Sequence, residues 1–215
     1  ALSMIMGNFL ALLQEKLLRL LAYSSIAHFG YLLLALLSLQ PESKLSVESQ
    51  LSNEAAIYYL FAYLLTAVGV FAILMLLSRQ LSATCERSET LTISDLKGLF
   101  WAKPAIALVL SLLLLSLAGI PLTIGFVGKF YLTLAAVNAQ LWYLLAALVV
   151  SSVAGLYYYL RIVMVMMEHQ EYDELDRYTA SPVIGHFILG IVTILVLGIG
   201  IFPGELADII ERLVS

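Results

Sequence analysis

One lysine lies inside the longest apolar stretch of the sequence. Lys129 is the only charged residue between positions 104 and 137. A charge at membrane depth is energetically costly and by default marks the path of an ion or a proton. Desolvation favours the neutral amine, which lets a buried lysine release and take up a proton. The sequence therefore predicts a proton-transfer group at Lys129, and the alternative is a lysine that reaches a lipid headgroup.

Residues that are unfavourable in helices cluster just before Lys129. They are Gly119, Pro121, Gly125 and Gly128. Proline lacks a backbone N–H and clashes with the preceding turn, and glycine lowers helix stability. A single helix over residues 104–137 would reach about 51 Å, whereas a hydrocarbon core is about 30 Å thick. We therefore predict half-helices at 105–118 and 127–137 and a break near 119–125, as in many transporter sites.

A polar stripe lies in a second apolar segment, within the run AYSSIAHFGY at 22–31. Ser24 and His28 are four residues apart and share a helical face, and Tyr31 follows three residues later. The stripe predicts a proton relay, or alternatively hydrogen bonds that hold membrane helices together. Lys16 and Arg19 precede it, and we interpret them as topology determinants that also line a route for proton uptake.

The composition is that of a membrane protein. The chain is 62% hydrophobic and 12% charged, against about 45–50% and about 25% in soluble domains. We predict one all-α domain, a polytopic transmembrane bundle with a discontinuous helix. Its apolar segments lie at 1–13, 17–39, 55–77, 104–137, 141–167 and 183–202, and a short amphipathic tail follows at 204–214. The first segment is too short to span a bilayer, so we expect the C-terminal part of a longer protein.

Basic residues are distributed unequally between the two predicted sides of the membrane. One side has Lys44 and Arg212, and the other has Lys16, Arg19, Arg79, Arg87, Lys97, Lys103, Arg161 and Arg177. The positive-inside rule puts the second side in the cytoplasm and the C-terminus on the outer side of the membrane. We interpret Arg161 and the tyrosines at 157–159 as an interfacial belt.

Several other chemistries lack the residues that they need. Cys85 is the only cysteine, so the chain has no internal disulfide and cannot hold an iron–sulfur cluster alone. His28 and His186 are placed differently along their segments, which disfavours haem binding. We find no nucleophile–base pair, phosphate loop or metal cluster. No basic patch exceeds a few residues, so nucleic acid is not an expected partner.

Three runs together resemble the antiporter-like membrane subunits of bacterial respiratory complex I, especially the N-subunit group. They are AYSSIAHFGY at 22–31, SLAGIPLTIGFVGKFY at 116–131 and GLYYYLRI at 155–162. The resemblance implies fourteen helices in two inverted repeats, of which this chain would hold the second. It makes Lys129 the lysine of the second broken helix. The family usually has a lysine at the position of Leu18, whereas this chain retains Arg19 and has a lysine at position 16.

The resemblance also implies a function. It predicts a proton-translocating subunit of NADH:quinone oxidoreductase, a translocase of the bacterial inner membrane, with no catalytic redox chemistry in this chain. Flavin, iron–sulfur clusters and quinone would bind in other subunits. The implied partners are neighbouring antiporter-like subunits, other membrane subunits, lipids and the N-terminal half of the same subunit. The third to sixth segments contain no Asp or Glu, so we expect a carboxylate partner for Lys129 from outside this chain.

Two alternative functions are consistent with the same residues. The first is a subunit of an Mrp-type cation/proton antiporter or of a membrane hydrogenase, because the YSS–H–GY block occurs in these proteins also. The second is a structural scaffold in which Lys129 anchors a salt bridge. Replacing Lys129 would prevent assembly of a scaffold but would uncouple a proton pump.

Overall fold

The chain folds into a bundle of helices in the computed structural model. The structure describes residues 1–38, 47–84, 91–169 and 183–204, with Leu206, Ile209 and Ile210 beyond them. This part contains the helices α1 (Leu2–Leu12), α2 (Leu17–Leu37), α3 (Val47–Thr84), α4 (Leu99–Ala102), α5 (Pro104–Ala118), α6 (Ile124–Asn138), α7 (Trp142–Met167) and α8 (Val183–Ile201). The predicted all-α class is confirmed. Cys85, Lys44, Arg212 and most of the predicted tail lie outside the described residues.

Among the described residues, three stretches of helix are long and apolar enough to cross a membrane. They are Leu17–Leu37, Ser52–Ser78 and Trp142–Met167, and α1, α5, α6 and the end of α8 are shorter apolar helices. The helix α3 is longer than the apolar segment predicted at 55–77. Glu, Gln and Arg are good helix formers, so the helix continues past the apolar residues at both ends. Hydropathy therefore marked only the apolar part of this helix.

The long apolar stretch is broken, as its length requires. The helix α5 ends at Ala118, and α6 begins at Ile124. Gly119 follows α5 with φ +87°, a conformation that glycine adopts without steric cost. Its N–H donates a hydrogen bond to the carbonyl of Ser116, and the N–H of Ile120 donates one to the carbonyl of Leu115. This pattern is the Schellman motif that commonly ends helices.

The break is shorter than the sequence predicted. We expected irregular backbone up to position 125 and a second half-helix from 127, but α6 already includes Gly125 and Gly128. Both glycines lie where another chain segment approaches closely. A Cβ at Gly125 would overlap the carbonyl oxygen of Ser116, and one at Gly128 would lie 3.0 Å from Cδ2 of Tyr59. These two glycines therefore permit close packing and do not interrupt the helix.

Several loops meet at one end of the bundle. A 3₁₀ turn (Ile93–Leu96) and α4 fill the segment before α5, and neither was predicted. Thr92 forms a backbone bridge with Lys16. The ammonium of Lys97 lies 2.9 Å from a carboxylate oxygen of Glu168, after α7. These contacts place Lys16 and Lys97 at the same end of the bundle. Our count of basic residues had placed them on the same side of the membrane.

Candidate proton-transfer site

The side chain of Lys129 folds back from α6 onto the end of α5. Its Nζ donates hydrogen bonds to the carbonyl oxygens of Ala118 at 2.7 Å and Leu117 at 3.1 Å. Carbonyls in the last turn of a helix have no intrahelical partner, and the helix dipole favours a cation there. Gly119 leaves room for the side chain, because a Cβ there would lie 2.8 Å from Cδ of Lys129. The break thus provides the partners of the lysine.

A small cavity is lined by both Lys129 and His28. We call it the inner cavity; its polar lining residues are His28, Tyr59, Tyr63, Thr66, Ser116 and Lys129. About 10 Å³ of it is open to the centre of a water molecule, which is close to the least volume that one water needs. A buried water also needs two to four polar partners, and His28, Tyr59 and Lys129 are among the lining residues that carry polar groups. The inner cavity thus has room for about one water molecule next to these groups.

A larger space lies on the other side of the lysine. This outer cleft has a volume of about 360 Å³ and is lined by the break, by Lys129, Phe126 and Phe130 of α6, and by Leu148, Val149 and Val153 of α7. Lys129 is therefore in contact with both spaces.

His28 is held by aromatic side chains of α3. It is 4% exposed, and its Nδ1 lies 2.6 Å from the hydroxyl of Tyr59. The ring of Tyr63 stacks on the imidazole with a centroid distance of 4.8 Å. The Tyr63 hydroxyl donates to Oγ of Ser25 at 2.8 Å. These contacts fix the imidazole at the inner cavity.

Ser24 contacts a different helix from His28 despite sharing its face of α2. Its Oγ lies 2.5 Å from the hydroxyl of Tyr159 on α7. A second cavity with about 10 Å³ open to water is lined by Ser24, Ser25, Tyr63 and Tyr159. Since Tyr63 also lines the inner cavity, the serines connect to His28 through this tyrosine.

Tyr31 lies next to both groups that could carry a proton. The Nζ of Lys129 is 5.5 Å from the centroid of its ring, within the range of a cation–π interaction. Its ring meets the ring of His28 edge-on at 5.6 Å. The Tyr31 hydroxyl donates to Oγ of Ser151 at 2.9 Å and accepts a bond from Asn8 at 3.2 Å. The structure therefore brings Tyr31, His28 and Lys129 together.

Lys16 and Arg19 lie away from this cluster. Lys16 precedes α2, and Arg19 is exposed in its first turn. Lys16 is twelve residues before His28, which is about 18 Å along a helix. The structure thus leaves both residues at the loop-bearing end of the bundle, and a role in proton uptake stays a prediction for them.

The predicted interfacial belt at 157–159 included three tyrosines, and the prediction is wrong for two of them. Tyr157 is 62% exposed, but Tyr158 and Tyr159 are each 1% exposed. Consecutive helical residues point about 100° apart, so three in a row cannot all face lipid. Tyr158 donates to Oδ1 of Asn8 at 2.9 Å, and Asn8 also donates to the Met4 carbonyl at 2.8 Å. Sequence reasoning missed Asn8, although an amide inside an apolar segment is itself a signal.

The neighbouring Tyr158 and Tyr157 allow a matched test of the hydrogen bond to Asn8. We expect Tyr158→Phe to lower the free energy of unfolding by about 1–3 kcal/mol, because it leaves a buried amide oxygen without a donor. Tyr157→Phe removes an exposed hydroxyl and should have almost no effect. Thermal unfolding in detergent would measure both variants. Equal midpoints would show that the bond to Asn8 contributes no stability.

Among the described residues, no group of three or more His, Cys, Asp and Glu could hold a metal ion. The salt bridge between Lys97 and Glu168 does not involve Lys129. The carboxylate expected from outside this chain therefore stays a prediction.

A membrane bundle with a discontinuous helix and a lysine at its break has the architecture of ion- and proton-translocating membrane proteins. The chain belongs to the NADH:quinone oxidoreductase/Mrp antiporter transmembrane family, whose model matches residues 1–155. It is accordingly a multi-pass membrane protein.

Two relatives are similar over nearly all of the chain. NADH-quinone oxidoreductase subunit N of Shewanella woodyi is 45% identical over 213 residues, which are 99% of this chain and 42% of that protein. The subunit of the same name from Ectopseudomonas mendocina is 41% identical over 214 residues, covering 98% of this chain and 40% of that protein. The chain thus spans about two fifths of the length of these relatives. The predicted resemblance is confirmed.

Solved structures share the fold. Respiratory complex I from Thermus thermophilus contains a chain that is 29% identical, with a TM-score of 0.77 over 96% of this chain and 43% of that chain. An archaeal membrane-bound sulfane sulfur reductase has one that is 28% identical, with a TM-score of 0.82 over 100% of this chain and 33% of that chain. A chain of the Mrp complex from a Dietzia species has a TM-score of 0.79 over 99% of this chain and 45% of that chain, at 18% identity, and shows the fold alone.

Proposed function

We propose that this chain is part of a proton-translocating membrane subunit of an NADH:quinone oxidoreductase, and that Lys129 carries the proton. The observation that carries the proposal is the position of Lys129 between the inner cavity and the outer cleft. The two relatives that are 41–45% identical support the choice of complex, because both are named NADH-quinone oxidoreductase subunit N.

The proposed transfer uses the two spaces in turn. A water in the inner cavity passes a proton between His28 and the amine of Lys129. Imidazole suits this role because one ring nitrogen can accept a proton while the other releases one. The ammonium then bonds the carbonyls of Leu117 and Ala118 at 3.1 and 2.7 Å. It releases the proton toward the outer cleft.

The charge of Lys129 would also affect the broken helix. Hydrogen bonds from an ionised donor are roughly twice as strong as neutral ones. The ammonium therefore holds the end of α5 more firmly against α6 than the neutral amine does. A proton that leaves Lys129 loosens this contact. Charge movements elsewhere in the complex could act on proton release through this step.

The proposed orientation follows the distribution of basic residues. The end of the bundle with Lys16, Lys97 and Lys103 faces the cytoplasm, and the C-terminus lies in the periplasm. Proton uptake then proceeds from that end along Ser25 and Tyr63 to His28. The half-helix α6 leads from Lys129 toward the periplasm of the bacterial inner membrane.

The proposed partners follow from the same assignment. Flavin, iron–sulfur clusters and quinone belong to other subunits of the complex, and this chain performs no redox chemistry. Neighbouring antiporter-like subunits, the N-terminal half of the same subunit and lipids surround the bundle. One of these protein neighbours supplies the carboxylate partner of Lys129.

Replacing His28 tests the relay. We expect His28→Gln to slow proton transfer through this subunit by about a hundredfold, which is typical for loss of a positioned acid–base group. Glutamine keeps a polar contact to Tyr59 but does not titrate. Ser111→Ala is a suitable control, because this hydroxyl donates to the carbonyl of Ala107 in its own helix at 2.7 Å. Protons translocated per NADH oxidised would be measured in vesicles, and equal ratios in both variants would exclude the relay.

The Mrp-type cation/proton antiporter is the less supported alternative. The Mrp chain shares only 18% identity with this one, so it supports the fold and not the activity. Vesicles that hold the assembled complex distinguish the two functions. Proton translocation should depend on NADH and quinone and not on an imposed sodium gradient.

A further inference from the structure

The helix α8 crosses the connection between the two half-helices. Gly200 lies in its last turn, with its backbone against residues 122–124. A Cβ at Gly200 would lie 2.6 Å from the carbonyl oxygen of Leu122 and 2.7 Å from the nitrogen of Ile124. Both are backbone atoms, which cannot move aside as a flexible side chain can. Glycine is therefore the residue that fits here without displacing the connection.

Packing along α8 holds this contact in place. Val196 is fully buried in the main hydrophobic core, and Ile199 packs against the same core. One turn earlier, Val192 and Leu113 of α5 approach Gly69 of α3, where an added Cβ would lie 2.9 Å from both side chains. The helix is thus fixed against α3 and α5 before it reaches the break.

The connection itself has an unfavourable backbone. Leu122 has φ +74°, a left-handed conformation that residues other than glycine rarely adopt. Such a conformation persists only where the surrounding structure enforces it. Thr123 contributes one local contact, because its Oγ1 donates to the carbonyl of Ile120 at 2.7 Å. Gly200 provides the contact from outside the connection.

We propose that α8 braces the broken helix, and that the bare backbone of Gly200 sets the position of the connection and thereby of Lys129. This inference rests on the proposed function. Ile124, which Gly200 contacts, begins α6 only five residues before Lys129. A shift of the connection moves the lysine relative to the carbonyls of Leu117 and Ala118. Gly200 lies outside residues 1–155, which the family model matches, and acts as a positioning residue.

Two glycines of one helix provide the test. Gly198 is exposed, and an added Cβ there would have no atom within 4 Å. In the assembled complex, we expect Gly200→Ala to lower proton transfer through this subunit by roughly tenfold or more, since a displacement of about 1 Å can cost up to about a hundredfold. Gly198→Ala should leave it unchanged. Protons per NADH oxidised is the readout, because this ratio does not depend on the amount of complex.

A rescue variant separates positioning from general damage. Leu122→Gly removes the backbone strain of the connection, so the connection can move to accommodate the added methyl group. The double variant Leu122→Gly/Gly200→Ala should therefore recover part of the lost protons per NADH oxidised. If Gly200→Ala prevents assembly, recovery of assembly and pumping in the double variant supports the brace, and no recovery overturns it. Equal ratios in Gly200→Ala and Gly198→Ala also overturn it. If Lys129→Gln lowers the ratio in the same assay, the proposed function stands without the brace.

Discussion

Lys129→Gln is expected to slow proton transfer through this subunit by about a hundredfold or more while the complex still assembles. The glutamine amide can donate to a carbonyl of the α5 terminus, which Lys129 now bonds at 2.7 and 3.1 Å. It cannot release and rebind a proton. The number of protons translocated per NADH oxidised should therefore fall, and it should be measured in vesicles with a fixed amount of complex.

A second lysine provides the control for this experiment. Lys97 is partly exposed at the loop-bearing end and pairs with the exposed Glu168, and ion pairs near the surface contribute little to stability. Lys97→Gln should leave the ratio unchanged. If Lys129→Gln pumps normally and Lys129→Ala fails to assemble, the lysine is a structural cap of α5, and the scaffold function replaces proton transfer.

Gly125→Ala is expected to have the largest effect on stability. The added methyl would overlap the carbonyl oxygen of Ser116, and the N–H of Gly125 bonds the hydroxyl of the same serine at 3.3 Å. The half-helices would have to separate, and overpacking of this kind typically costs about 1–3 kcal/mol or more. We expect less assembled complex in the membrane and a lower midpoint of thermal unfolding in detergent.

Gly190→Ala is the matched control for the packing effect. It also lies in a membrane helix, but an added Cβ there would have no atom within 4 Å. Alanine in a helix is favoured over glycine by roughly 0.5–1 kcal/mol, so this variant should be neutral or slightly stabilising. If Gly125→Ala assembles as well as Gly190→Ala, then α5 and α6 do not pack as closely as the structure indicates.

The sequence predicted correctly that the helix is broken, but it did not predict where the second half-helix begins. The length of the apolar stretch and Pro121 required a break, and the left-handed Gly119 ends α5 where we expected. Gly125 was assigned to the break because glycine is unfavourable in helices in general. Inside a bundle, however, small residues let two backbones approach. At Gly125 close packing outweighs low helix propensity, because Ser116 lies directly opposite. This is a tertiary contact, which the sequence does not show.

The sequence also predicted the lysine but not its surroundings. The carbonyls that bond Lys129 become available because the Schellman motif at Gly119 leaves them without partners, and because α6 folds back over α5. Neither condition is a matter of residue spacing. Tyr59 was missed because nothing in the sequence of α3 indicates that its hydroxyl meets His28, 31 residues earlier.

An ordered water in the inner cavity is the most direct test of the account. The measurement is a structure of the full-length subunit in its assembled complex, at a resolution that shows bound water. We predict one water within hydrogen-bond distance of Nζ of Lys129 and of a polar atom of His28 or Tyr59. A dry inner cavity, with no water between His28 and Lys129, would contradict proton transfer between them.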